Sequence, residues 1–155
     1  MQLNRAWIEA HIPHQGRMCL LDEVVHWSAQ RISCRSGAHR AADHPLRAHG
    51  RLGVACGIEF AAQAMAVHGA LIAAAPDTPP DAPDAKPPAG FLASVRGVRL
   101  HVARLDDVQS DLICDALRIA GDRGSNLYEF ELRSATMRLL SGRATVLDAA
   151  LRRGP

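Results

Sequence analysis

Residues 52–75 of this 155-residue chain read LGVACGIEFAAQAMAVHGALIAAA, and this stretch decides the fold. It is rich in alanine, lacks a run of β-branched residues and is apolar on nearly every helical face, which predicts a helix buried in a domain. A membrane span is disfavoured because Glu59 and Gln63 would lie at membrane depth, where polar groups are costly. We therefore expect a core helix that begins near residues 53–57 and ends before Pro76, and no membrane partner.

A proline-rich segment follows this helix. Residues 76–88 hold six of the nine prolines in the chain. Because neither helix nor sheet tolerates that density of proline, the segment is predicted to be a surface loop. The sequence on either side is too short to fold alone, so residues 1–155 are expected to form a single domain.

The remainder of the chain has the roughly period-two apolar spacing of β-strands. The predicted strands are residues 19–27 and 30–38 before the helix, and 91–102, 108–119, 127–134 and 135–147 after it. Residues 120–126 form a predicted turn, and the last segment is either one strand or a hairpin. A single apolar helix needs a curved sheet to cover its faces, which predicts an α+β domain.

Composition excludes several classes of protein. The formal net charge is only +2 and aromatic residues make up 4%, which argues against a nucleic-acid partner. The four cysteines are scattered and the N-terminus lacks the pattern of an export signal, which together predict a reducing cytoplasm. His39, His44 and His49 are five residues apart, a spacing that aligns no ligand set on a helix or strand, so no metal site is expected.

Glu59 is the most informative candidate for chemistry. A glutamate in an apolar helix is costly unless it is paired, hydrated or used, and Gln63 lies on the same helix face four residues later. Burial would raise the pKa of such a carboxyl group, which suits a general acid or base. The alternative is a glutamate that complements the helix dipole and bonds to a neighbouring strand.

Several motifs together resemble one family. They are Pro13-His14, Leu20-Leu21-Asp22, Glu59-x-x-x-Gln63, Gly90-Phe91-Leu92, Val98-Arg99-Leu100 and Gly142-Arg143-Ala144-Thr145-Val146. In this order the chain resembles bacterial 3-hydroxyacyl-[acyl-carrier-protein] dehydratases, and within them the divergent branch of aryl polyene pathways. The resemblance implies a hot-dog fold, in which a curved antiparallel sheet wraps around one long central helix, and it implies a dimer.

The chemistry implied by the resemblance is loss of water from a 3-hydroxyacyl thioester, which is held on the phosphopantetheine arm of an acyl carrier protein, to give the trans-2-enoyl thioester. A histidine removes the proton beside the thioester carbonyl, and Glu59 of the other subunit protonates the departing hydroxyl. Gln63 supports the carboxyl group, and backbone N–H groups at the helix N-terminus, near Cys56, Gly57 and Ile58, polarise the thioester oxygen. Arginines such as Arg96 and Arg99 meet the acidic carrier. No cofactor is implied.

The histidine does not transfer from the family pattern. The typical enzyme carries it in a Gly-His-Phe-Pro-Gly segment fourteen residues before the glutamate, and that position here is Pro45. The candidates are His49, less favourably His44, and His14 from the N-terminal motif. A further alternative is that a second hot-dog subunit supplies the histidine in a heterodimer.

Three functions therefore compete. The first is a 3-hydroxyacyl-carrier-protein dehydratase, acting as a homodimer or a heterodimer. The second is a non-catalytic or half-site subunit that binds the acyl carrier protein, which the missing histidine segment favours. The third is a hot-dog acyl thioesterase, in which a helix carboxylate activates water.

Overall fold

The secondary structure follows the predicted order, with one additional helix at the N-terminus. A computed structural model describes residues 2–75, 90–122 and 124–148. The helices are α1 (Arg5–His11) and α2 (Gly57–Ala73). The strands are β1 (Glu23–Trp27), β2 (Arg31–Ser36), β3 (Gly90–Leu100), β4 (Leu112–Asp122), β5 (Ser125–Arg133) and β6 (Arg138–Asp148). The predicted loop at residues 76–88 lies outside the described residues.

The six strands form one antiparallel sheet in the order β1-β2-β4-β5-β6-β3. The strands β1 and β3 are therefore its edges. Within the described residues, α2 is the one long helix, and it packs on the inner face of the sheet against β2, β4 and β5. The predicted α+β hot-dog fold, with a curved sheet around a long helix, is confirmed.

The helix α2 begins and ends where the sequence predicts. A single 3₁₀ turn, Val54–Cys56, leads into it at Gly57. The stretch Val54–Ala73 has the length and composition of a membrane span, but most of it is buried inside the fold, as expected of a core helix. Its polar residue His68 is fully buried, where its two ring nitrogens bond to the Tyr128 hydroxyl and the Ser28 carbonyl at 2.8 Å each. His68 is therefore buried with both of its ring nitrogens hydrogen-bonded.

Gly57 sets how closely α2 approaches the sheet. A Cβ atom at this position would lie 2.7 Å from Cδ2 of Leu132 and 2.9 Å from Cδ2 of Leu140, both of which are fully buried. Gly69, in the same helix, is exposed and has no atom within 4 Å of an added Cβ. The two glycines therefore differ in steric environment.

We expect Gly57→Ala to destabilise the protein and Gly69→Ala to stabilise it. Overpacking a core costs about 1–3 kcal/mol, which exceeds the gain of up to about 1 kcal/mol from replacing glycine by alanine in a helix. At Gly69 only the gain applies. Urea unfolding of the two variants measures both changes, and equal stability of the variants would contradict the close approach at Gly57.

Several predicted strand boundaries are wrong, and three of the differences have a clear local reason. Residues 19–22 are not in β1, because the backbone of Leu20 bonds to side chains of α2 and β2. The predicted turn at 120–126 is shorter, since β4 and β5 pair up to Asp122 and Ser125. Residues 108–111 precede β4, and the Val108 N–H closes a turn onto Leu105.

Candidate active site

The site lies where the loop after α1 meets the first turn of α2. The loop carries His14, and the helix carries Glu59. His14 Nε2 lies 2.9 Å from Glu59 Oε1, and the two side chains are 29% and 35% exposed. The resemblance implied a histidine and a glutamate from different subunits, whereas this pair lies within one chain. Partial exposure leaves the carboxylate open to a molecule that approaches from solvent.

Gln63 connects the carboxylate to the loop. Its side chain is fully buried, and its Nε2 donates to Glu59 Oε1 at 3.2 Å and to the Met18 carbonyl at 2.8 Å. Its Oε1 accepts the Leu20 N–H at 2.9 Å. The predicted proximity of Gln63 to Glu59 on one helix face is thus present. Glu59 Oε1 receives two hydrogen bonds, while Oε2 has no partner within the described part of the chain.

The predicted direction of the Glu59 pKa is wrong. The hydrogen bond from His14 holds the pKa of the carboxyl group below its ordinary value, and the hydrogen bond from Gln63 acts in the same direction. Partial burial raises the pKa but does not outweigh them. Glu59 is therefore ionised at neutral pH. The sequence showed the apolar helix and Gln63 but not that His14 reaches the carboxylate from the loop.

A family comparison identifies the chain. The family model described as ApeP-like, ApeP dehydratase, matches residues 6–152. The chain belongs to the ApeP-like dehydratase family. The predicted family, the aryl polyene branch of hot-dog dehydratases, is confirmed. No curated protein matches the chain.

Solved structures agree with this ApeP-like fold. A chain of the dehydratase heterocomplex ApeI:P from Xenorhabdus doucetiae superposes with a TM-score of 0.78 at 22% identity, covering 95% of this chain and 97% of that chain. A thioesterase from Pseudomonas aeruginosa gives a TM-score of 0.53 at 13% identity, with 81% of each chain covered. A thioesterase from Haemophilus influenzae gives a TM-score of 0.53 at 12% identity, with 81% of this chain and 76% of that chain covered. At these identities the likenesses show the fold alone.

The other histidine candidates in this ApeP-like chain make no described hydrogen bond or ion pair with His14 or Glu59. His49 is exposed in a turn with a φ of 52°, and no described hydrogen bond or ion pair links it to Glu59. His44 is buried, stacks on Phe60 and accepts the Leu46 N–H through Nδ1. Burial lowers the pKa of His44. Within the described residues, no three metal-ligating side chains are grouped together, and His39, His44 and His49 form no such set.

The predicted N–H donors at the start of α2 are partly engaged. The Cys56 N–H donates to the Gly53 carbonyl at 3.0 Å, and the Gly57 N–H donates within the same turn to Val54. The 3₁₀ turn before the helix thus uses two of the groups that a helix N-terminus leaves free. An oxyanion role is therefore not supported for Cys56 and Gly57, and it stays a prediction for Ile58.

Sequence analysis missed the residues that hold the loop of this ApeP-like protein. Besides Gln63, Arg5 of α1 donates to the Gly16 and Cys19 carbonyls of the loop, and Gln15 of the loop donates through Nε2 to the Glu9 carbonyl of α1. An arginine on a short helix that was itself not predicted gives no signal of such a role. The helix α1 has one recognisable sign, the Asn4 side chain that caps it by accepting the Trp7 N–H at 3.1 Å.

Proposed function

We propose that this ApeP-like dehydratase removes water from a 3-hydroxyacyl thioester on acyl carrier protein, giving the trans-2-enoyl thioester. The observation that carries the proposal is the half-engaged carboxylate of Glu59. One oxygen is fixed by His14 and Gln63, and Oε2 has no described partner. A fixed, ionised carboxylate with one free oxygen suits proton transfer to and from a bound substrate.

The elimination requires a proton to leave C2 and a proton to reach the hydroxyl on C3. We assign both transfers to Glu59, since its ionised Oε2 first takes the C2 proton and leaves an enolate of the thioester. The resulting carboxylic acid then gives its proton to the C3 hydroxyl. The C3–O bond breaks, water departs, the C2=C3 double bond forms and the carboxylate is regenerated. Atoms and charge balance without a cofactor.

His14 acts on Glu59 in this scheme and not on the substrate. Its Nε2–H donates to the carboxylate, and its Nδ1 is buried with no partner in the described ranges. The ring thus presents no second nitrogen to a substrate in this arrangement. This assignment differs from the resemblance, which gives the base to a histidine. We assign His49 no role in the proton transfers.

Stabilisation of the thioester oxygen is assigned to the backbone N–H of Ile58, which is the remaining donor predicted at the start of α2. An enolate oxygen carries most of the negative charge that develops at the first transfer. A backbone N–H in the first turn of α2 would stabilise that charge more than it stabilises the neutral carbonyl. The position one residue before Glu59 keeps the two groups adjacent.

We propose a second hot-dog subunit as the partner, either a second copy or a different chain. The edge strand β3 carries the exposed apolar side chains Leu92, Val98 and Leu100, the last 52% exposed. An edge strand with exposed apolar residues is suited to pairing with another sheet. The similar chain from Xenorhabdus doucetiae belongs to a dehydratase heterocomplex, which favours a different chain as the partner. A cytoplasmic location is part of this proposal.

Arg96 and Arg99 are proposed to contact the acyl carrier protein. Both are exposed on β3, and no described ion pair involves either residue. By contrast, the neighbouring Arg143 is paired with Glu129 at 2.9 Å. Unpaired cations at the surface are available to an acidic partner and accelerate its association.

We expect the double variant Arg96→Glu and Arg99→Glu to raise KM for a carrier-protein substrate by about tenfold or more, since reversal of both charges replaces attraction by repulsion. The kcat value should change little. The same variant should be unaffected toward a small pantetheine thioester, which lacks the acidic protein. Equal losses with both substrates would show that the arginines act elsewhere.

The proposal is tested by incubating purified protein with a 3-hydroxyacyl carrier-protein thioester, alone and with a candidate partner subunit, and identifying the product. Enoyl thioester formation supports the dehydratase function. Activity without the partner would assign a complete site to this chain. Activity only with the partner would make this chain a half-site subunit if that activity requires Glu59, and a non-catalytic binding subunit if it survives loss of Glu59. Release of free thiol without an enoyl product would favour the thioesterase alternative.

A further inference from the structure

The loop that carries His14 has few restraints of its own. Residues 12–19 form a short 3₁₀ turn, Gly16–Met18, but no strand and no longer helix. Gly16 has a φ of 58°, which a glycine adopts without the cost that other residues have there. The position of His14 against Glu59 must therefore be set by groups outside the loop.

Arg5 of α1 bonds to both ends of this turn. Its Nη2 donates to the Gly16 carbonyl at 3.0 Å and to the Cys19 carbonyl at 2.6 Å. Its Nη1 donates to Asp22 Oδ1 at 3.5 Å, and its Nε lies 3.6 Å from Glu9 of the same helix. One planar guanidinium group thus joins the helix, the turn and the start of β1.

Three other residues add to the restraint of the loop, and the first is Gln15, whose Nε2 donates to the Glu9 carbonyl of α1 at 3.2 Å. Asp22, from the Leu-Leu-Asp motif, accepts the Gly37 N–H through Oδ2 at 2.7 Å as well as the bond from Arg5. The bond from Gly37 anchors the Asp22 carboxylate to the end of β2. On the opposite side, Gln63 bonds to Met18 and Leu20. The loop is therefore held between α1 and α2, with Arg5 on one side and Gln63 on the other.

We infer that Arg5 is a positioning residue that holds the His14 loop so that the imidazole meets the Glu59 carboxylate. The expected effect of Arg5 on the reaction rate rests on the proposed function. Its expected effect on the contact between His14 and Glu59 rests on the geometry of the loop alone. Arg5 has no described hydrogen bond or ion pair with His14 or Glu59, so it acts through the backbone of the turn.

The loop offers a matched control in Arg17. This arginine bonds to Asp43, through Oδ2 at 3.1 Å and through the carbonyl at 3.3 Å. Both side chains of that pair are about 70% exposed, at 71% and 70%, and pairs so exposed contribute little. Arg5 and Arg17 therefore carry the same charge, but Arg5 bonds from α1 to the loop backbone, whereas Arg17 bonds from the loop to the exposed Asp43.

The test compares Arg5→Met and Arg17→Met in the full chain, with the candidate partner present for kinetics. The first readout is the pH titration of the Glu59 side-chain carboxyl group, followed by ¹³C NMR and assigned with Glu59→Gln. The hydrogen bonds from His14 and Gln63 and partial burial are the causes of the Glu59 pKa shift, and Arg5 is not among them, so a change reports displacement of the donors that the loop positions, His14 first. The second readout is kcat against KM.

In Arg5→Met we expect the Glu59 midpoint to rise and kcat to fall about tenfold or more, with KM within about threefold, because misplacement of about 1 Å lowers rates on the order of 10²-fold. Arg5→Lys should recover part of both, and Arg17→Met should match the wild type. A folded Arg5→Met protein with the wild-type midpoint would overturn the inference. Should Arg5→Met not fold, a folded Arg5→Gln protein with the wild-type midpoint would do so.

Failure of the proposed function gives a different result. In that case the wild-type protein with its partner forms no enoyl thioester, while the Glu59 midpoint still separates Arg5→Met from Arg17→Met. The titration thus tests the positioning of His14 even when no reaction is observed.

Discussion

Replacing Glu59 by Gln is expected to lower the rate of enoyl formation by about 10²–10⁴-fold, the usual contribution of a general acid or base. The amide keeps the shape of the side chain and can still bond to Gln63, but it can neither accept the C2 proton nor return one to the hydroxyl. The effect should fall on kcat, since binding of the acyl chain does not use the carboxylate. Steady-state kinetics with the partner subunit present measure it.

Glu23→Gln is the control for this variant. Glu23 lies on β1 and pairs with Arg35 at 2.9 Å, with its side chain 45% exposed, so its charge is removed without a change at the site. The rate of the Glu23→Gln protein should stay within about twofold of the wild-type rate, as expected for loss of a surface ion pair. A Glu59→Gln protein that dehydrates at the wild-type rate would remove Glu59 from the mechanism.

His14→Ala is expected to have the second largest effect, with a loss of roughly 10–100-fold and a shifted pH profile. Removing the His14 hydrogen bond removes the main cause of the lowered Glu59 pKa, and the burial that raises it remains. The reaction needs ionised Glu59, so the acidic limb of the profile should move to higher pH. The loss should therefore be largest in acid and smaller above neutral pH.

His49→Asn separates the two histidine candidates. Asparagine tolerates the left-handed backbone at His49, where φ is 52°, so the turn should be preserved. The rate and the acidic limb should match the wild type. A loss in His49→Asn that exceeds the loss in His14→Ala would transfer the role to the turn at residues 48–51.

The core helix was predictable because its evidence is local. Alanine content, the absence of a β-branched run and the proline at residue 76 set its extent without reference to the rest of the chain. The strand boundaries were less predictable, since they depend on pairing partners. Residues 19–21 are apolar and look like strand, but they are drawn from the sheet by bonds to Gln63 and Ser36.

The site was predictable in part for the same reason. Glu59 and Gln63 are four residues apart, so their shared face follows from helix geometry. The contact between His14 and Glu59 did not follow from the sequence, because 45 residues separate the two and their contact depends on how α1 and α2 pack. The predicted direction of the Glu59 pKa shift was wrong for the same reason, since the hydrogen bond from His14, its main cause, was not predicted.

The most direct test of this account is the ¹³C titration of the Glu59 carboxyl group in the wild-type protein and in His14→Ala. The account predicts a wild-type midpoint below the ordinary value of a glutamate and a midpoint at or above that value in the variant. A wild-type midpoint at or above the ordinary value, unchanged by loss of His14, would contradict the assignment of an ionised Glu59 held by His14 of the same chain.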